Sequence, residues 1–147
     1  MLKKTIREIF IRDLNKLKSE IELYKNESDI WVIAKEIKNS AGTLCIHLNG
    51  NLKHFIGAIL GGTDYKRDRD SEFTIRNISK TELLKSTSET IEVVDKTLSS
   101  LSEEKFFENY PVEFRNEIAT TDFVLVYLAA HFNYHLGQVN YLRRILE

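Results

Sequence analysis

The C-terminal stretch TTDFVLVYLAAHFNYHLGQVNYLRRIL, residues 120–146, predicts both the fold class and the candidate site. The Thr120-Thr121 pair suits the start of a helix that can continue without interruption to Leu146. Aromatic, polar and aliphatic side chains form one stripe at three- and four-residue steps: Phe123, Tyr127, His131, Tyr134, Gln138, Tyr141 and Ile145. This spacing is typical of an amphipathic helix, and we expect the polar and aromatic stripe to face a helical core.

Three further segments show the same periodicity. They are Thr5–Tyr24, Ser40–Leu60 and Thr81–Leu101, and Pro111 is the only proline that could interrupt a helix. Ser40 suits an N-cap, and Gly61-Gly62 is a stop signal. Because each segment is about 30 Å long as a helix, we expect an all-α four-helix bundle formed by residues 1–147 as a single domain.

The predicted connections are long for a bundle. They span residues 25–39, 62–80 and 102–119, beyond the short turns of simple up-and-down bundles. An extended 62–80 segment could run back along the bundle as a crossover. In the first connection we expect a short helix, Asp29–Lys38, anchored by Trp31.

Length, charge and cysteine content limit the function classes. The chain has 147 residues, enough to bury a core without a structural metal or disulfide. Its 21 basic and 22 acidic residues give a net charge of −1, so the basic excess typical of a nucleic-acid binder is absent. The single Cys45 fits a reducing compartment. We find no signal-peptide core or convincing membrane span, and we expect a cytoplasmic protein with no membrane partner.

Two histidines carry the clearest chemical signal. His131 and His135 lie four residues apart on the fourth predicted helix, so both imidazoles project from one face and could bind one divalent ion. No glutamate follows His131, so the stretch is not the HExxH motif of zinc proteases. A lone HxxxH pair is more often a matter of packing than of metal binding.

A third ligand must come from another helix. His47 and His54 both lie on the second predicted helix, and periodicity alone does not choose between them. Three neutral imidazoles leave open coordination positions on an ion, which is typical of a catalytic site. Asn51, one turn after His47, and Gln138, one turn after His135, could orient a ligand or bound water, and Tyr134 lies on the same stripe.

Three motifs resemble one known family. They are HLNGNLKHFIGAILGG (residues 47–62), RDRDSEF (67–73) and HFNYHLGQVNYLRR (131–144). They resemble the DinB/YfiT-like superfamily of metalloenzymes, most closely a branch of unknown function. The resemblance covers Ser40 to the C-terminus.

The resemblance implies a specific site. It implies a four-helix bundle with a long crossover, a frequent homodimer, and a divalent metal, commonly zinc or nickel, held by His47, His131 and His135. His54 falls outside that ligand set. Relatives with known activity are similar to S-transferases that use a low-molecular-weight thiol as cosubstrate.

The leading hypothesis is therefore a metal-dependent enzyme acting on a small-molecule substrate, and possible chemistries include thiol transfer and hydrolysis by metal-bound hydroxide. The non-enzymatic alternative is a dimeric, stress-associated binding module. Within the Arg67–Phe73 segment, a solvated loop is the simplest interpretation, and Arg67 or Arg69 could instead clamp a substrate carboxylate.

Overall fold

The computed structural model describes residues 1–147 and contains helices but no strand. The α-helices are α1 (Leu2–Leu23), α2 (Ala41–Leu52), α3 (Arg69–Thr74), α4 (Lys80–Ser100), α5 (Glu103–Phe107) and α6 (Thr121–Leu146). A 3₁₀ turn spans Glu27–Trp31, and α2 continues directly into a π-helical segment, Lys53–Leu60. The prediction of an all-helical fold is confirmed.

The boundaries of the long helices follow from local side-chain chemistry. Ser40 caps α2 by accepting a hydrogen bond from the Thr43 amide at 3.1 Å. Ser79 and Glu82 form a reciprocal capping box at the start of α4. The π-helical segment ends at Gly61, and Gly62 adopts a left-handed conformation (φ 67°) that glycine tolerates without strain.

Four long helical segments share one apolar core. They contact one another in a closed ring: α1 packs on α4, α4 on α2, α2 on α6, and α6 on α1. Buried side chains from all four, such as Leu14, Leu48, Leu98 and Leu128, belong to one cluster. The contact between α2 and α6 matters most for the site, because the candidate histidines lie on these two helices.

Two buried carboxylates of α1 hold it against polar side chains of α6. Asn133 donates to Asp13 at 2.7 Å, and two turns later Asn140 donates to Glu20 at 2.7 Å. Arg143 adds a 2.9 Å contact to the same Glu20 carboxylate. These side chains are matched across the interface, so they fix the position of α6 along its neighbour.

The prediction of which face of α6 packs into the core is wrong. Phe123, Tyr134, Tyr141 and Ile145 are exposed, whereas the buried side chains follow the adjacent stripe of Val124, Leu125, Leu128, Phe132, Leu136, Val139 and Leu142. Both stripes have helical spacing, but the second carries no polar atom. Burying it leaves no hydroxyl or amide that needs a partner in the core.

The predicted Asp29–Lys38 helix is also wrong. Helical backbone ends at Trp31, and Lys35 has a positive φ of 52°, which a continuous helix excludes. Trp31 nevertheless anchors the connection: its indole nitrogen donates to the Ile78 carbonyl at 3.2 Å, and its ring lies against Gly42. None of the helices combines the length and apolar character needed to cross a bilayer.

Candidate metal centre

Three histidines from two helices converge at one point. His47 is buried on α2, and His131 and His135 lie half-buried on α6. Each offers one ring nitrogen, and these three atoms all lie within 4.8 Å of one another. His54, on the π-helical segment, packs against Phe55 and does not belong to this group.

The spacing of the ring nitrogens suits a single ion. His47 Nε2 and His131 Nε2 are 3.2 Å apart. With nitrogen–metal bonds of about 2.0–2.1 Å, this separation corresponds to an angle of about 100° at an ion, close to the tetrahedral value. This pair of nitrogens therefore fits one divalent metal, and the ring nitrogen of His135 lies within 4.8 Å of both.

The orientation of His47 is fixed by a buried carboxylate. Its Nδ1 lies 3.0 Å from Glu72 Oε1, and both side chains are about 95% buried. The carboxylate accepts a hydrogen bond from Nδ1–H, which leaves the lone pair on Nε2 facing the other histidines. This carboxylate–histidine pair is the usual support of a metal ligand.

Arg67 holds that carboxylate in turn. Its Nε donates to Glu72 Oε2 at 2.9 Å and its Nη2 to Oε1 at 3.0 Å. Burial alone would raise the pKa of Glu72, but hydrogen bonds from His47 and Arg67 outweigh it and leave the pKa below its ordinary value. Glu72 therefore stays ionised at neutral pH.

Gly50 makes room for Glu72. A Cβ built at this position on α2 would lie 2.1 Å from Glu72 Oε2 and 2.8 Å from the carboxyl carbon. Any side chain at position 50 would thus displace the carboxylate that supports His47.

The other two histidines have different surroundings. Gln138 Oε1 lies 2.6 Å from His135 Nδ1, so His135 can donate from Nδ1 and keep its Nε2 lone pair free. Nδ1 of His131 is buried without a hydrogen-bond partner. Burial and the neighbouring His135 lower the pKa of His131 to about 4, and burial likewise lowers that of His135. Both are neutral at pH 7, the form that binds metal.

A cavity of about 500 Å³ opens in front of the three histidines. Its wall includes three arginines, several aromatic rings and an asparagine, but no acidic side chain: His47, Asn51, Phe55, Arg67, Arg69, Phe73, Phe114, Arg115, Tyr127, Leu128, His131 and His135. The predicted residue Asn51 is part of this wall, and its Oδ1 is buried without a partner.

The remaining predicted site residues have distinct positions. Gln138 contacts His135 directly, and Arg69 stacks over Phe73 at the cavity. Arg67 is engaged by Glu72 instead of standing free as a clamp. Tyr134 is 67% exposed and borders a different groove, with Tyr141 and Ile145, outside the cavity.

Sequence reasoning missed two residues of this region. Glu72 lies inside the RDRDSEF motif, where only the arginines received attention. Its apolar neighbour Phe73, whose ring packs 4.9 Å from that of His47, was the available sign that this part of the motif is buried. Arg115 carries no sequence signal, because it lies in a connection far from every quoted motif.

The fold and the geometry of the site define the class of this protein: an all-helical chain with a cluster of three histidines. Comparison with protein families matches residues 4–147 to the family described as protein of unknown function DUF1572, and the chain belongs to this family. A search of curated proteins gave no match.

Proposed function

We propose that this protein is a divalent-metal-dependent enzyme in which His47, His131 and His135 bind the ion. The observation that carries the proposal is the 3.2 Å separation of His47 Nε2 and His131 Nε2 beside His135. At this distance both ring nitrogens can reach one shared ion. The resemblance to DinB/YfiT-like proteins supports the same ligand set and a four-helix bundle with a crossover.

Hydrogen bonds outside the ligand set support the same proposal. Glu72 can accept a hydrogen bond from Nδ1–H of His47, and Gln138 can accept one from Nδ1–H of His135. Both contacts keep the Nε2 atoms available for a metal. Three nitrogen ligands suit zinc or nickel and leave open positions towards the cavity. A metal bound there would supply Lewis acidity and lower the pKa of a coordinated thiol or water.

Thiol-dependent transfer is the activity we favour. The cavity wall holds no carboxylate that could act as a general base for water, since Glu72 is already engaged by Arg67 and His47. A thiol, with an ordinary pKa of about 8.5 against about 15.7 for water, is deprotonated outright on a bound metal ion and depends less on such a base than water does. Tyr127, Phe55 and Phe114 offer apolar surface for the group that accepts the sulfur.

Cobalt substitution tests this proposal. Metal-free protein loaded with Co²⁺ should show the visible spectrum of a low-coordinate nitrogen site, and cysteine or glutathione should add a sulfur-to-cobalt charge-transfer band. His54→Ala should behave like the wild type, whereas His131→Ala should neither load nor respond. Loading without any response to thiols would refute the transferase activity and leave the metal site standing.

A further inference from the structure

The cavity wall carries positive charge that the fold itself does not neutralise. Arg67 forms a two-point contact with Glu72, but Arg69 and Arg115 form no ion pair. Elsewhere Arg7, Arg12 and Arg143 are each paired with a carboxylate. Arg76 and Arg144 also form no ion pair but do not line this cavity, so two of the four unpaired guanidinium groups lie beside it.

Aromatic rings orient these guanidinium groups without cancelling their charge. Cζ of Arg69 lies 5.2 Å from the centroid of the Phe73 ring, and Cζ of Arg115 lies 5.0 Å from that of Tyr127. Arg115 also donates to the Tyr127 hydroxyl. Stacking uses the face of a guanidinium and leaves N–H groups on its edge for an anion.

The turn that carries Arg115 has an unfavourable backbone. Phe114 and Glu117 pair across it, and the two residues between them, Arg115 and Asn116, have φ values of 55° and 64°. Such two-residue turns strongly prefer Asn-Gly or Gly-Gly. An arginine in this conformation costs about 1 kcal/mol, and strain of this kind is concentrated at functional sites.

We infer that the cavity binds a carboxylate-bearing small molecule through Arg69 and Arg115, beside the three histidines. This inference names the substrate class of the proposed enzyme and so rests on that function. The flat, two-point edge of a guanidinium matches a carboxylate. The buried and unpartnered Oδ1 of Asn51 supplies an acceptor for a donor group on the same ligand.

Calorimetric titration with succinate, its neutral analogue succinamide, and inorganic phosphate tests the inference. The chelator-treated protein is titrated first, so that binding by the arginines is measured apart from any bound metal, and the zinc-loaded protein is titrated next. Succinate should bind to the metal-free protein, and succinamide should not. This design separates failure of the anion site from failure of the metal site.

Two variants and a control complete the test. Arg69→Gln and Arg115→Asn should each weaken succinate binding at least tenfold, and Arg115→Asn should not lower the melting temperature because asparagine tolerates the turn. Arg144→Gln is the control, since Arg144 stacks on Tyr141 away from the cavity. Equal binding of succinamide, unchanged binding in both cavity variants, or binding of phosphate alone would overturn the inference.

Discussion

Glu72 connects an arginine to a histidine through one buried carboxylate. Arg67 contacts both of its oxygens, and His47 contacts Oε1. A buried carboxylate with these partners keeps its charge, orients the imidazole and increases the basicity of Nε2. At the scale of single residues, the structure thus adds a supporting group that the histidine spacing could not reveal.

Glu72→Gln should weaken metal binding with little effect on the fold. The amide keeps the shape of the side chain but removes the charge that favours a metal-bound His47, so we expect about 10- to 100-fold lower zinc affinity. Competition with a chromogenic chelator measures this change. Asp70→Asn, an exposed change in the same short helix, is the matched control. Equal affinities in the two variants would contradict the role given to Glu72.

His131 makes the metal-free protein sensitive to acid. Its pKa is about 4 in the folded chain, below its ordinary value of 6.5, because of burial and the nearby His135. Between these two values the unfolded chain binds a proton that the folded chain does not, so the free energy of unfolding falls as pH falls from 6.5 towards 4.

His131→Asn should therefore lose less stability between pH 7 and pH 5 than the wild type. The difference should be on the order of 1 kcal/mol, once solvent screening of this half-buried group is allowed for. Urea unfolding with a chelator present measures it at each pH. Parallel pH dependences for the two proteins would show that His131 does not titrate as described.

At the scale of helices, α6 shows what the sequence could and could not predict. Its length and its His131/His135 pair followed from periodicity, and in the structure these two histidines lie near His47. Its buried face did not follow, because Phe123, Tyr134 and Tyr141 repeat with the same spacing as the core residues. The two faces share a spacing and differ in polarity, and contacts with neighbouring helices, such as Asn140 with Glu20, fix which one is buried.

The connections were the least predictable elements. A short helix is predicted at Asp29–Lys38, but Trp31 is engaged with Ile78 and Gly42, and the chain then turns away through Lys35. Arg115 reaches the cavity through a strained turn that has no composition signal. Long-range contacts of this kind are not encoded in local periodicity.

Alanine substitutions at two glycines test how closely the helices approach one another around the site. Gly50→Ala should cost about 1–3 kcal/mol and weaken metal binding, since its Cβ would meet the Glu72 carboxylate. Gly137→Ala on α6 meets nothing within 4 Å and should instead stabilise the protein by about 0.5–1 kcal/mol. Chemical denaturation of both variants, with metal titrations, measures these effects. A neutral or stabilising Gly50→Ala would contradict the tight approach of α3 to α2.

At the scale of the whole molecule, a bound ion would join α2 to α6. Since the ligands converge only in the folded chain, metal should stabilise the fold by mass action: about 2.7 kcal/mol at a free metal concentration 100-fold above Kd. Thermal melts with and without zinc measure this gain. The gain should vanish in His131→Ala and persist in His54→Ala, and a similar gain in both would mean that zinc binds elsewhere.

The most direct test of the metal centre is elemental analysis by mass spectrometry of protein purified without a metal-affinity column. We predict close to one equivalent of zinc or nickel per chain, retained in His54→Ala and lost in both His47→Ala and His131→Ala. The contrary result is protein that carries no divalent metal and takes up none when zinc, nickel or manganese is added. The three histidines would then be a packing arrangement, and the enzyme proposal would fall with the site.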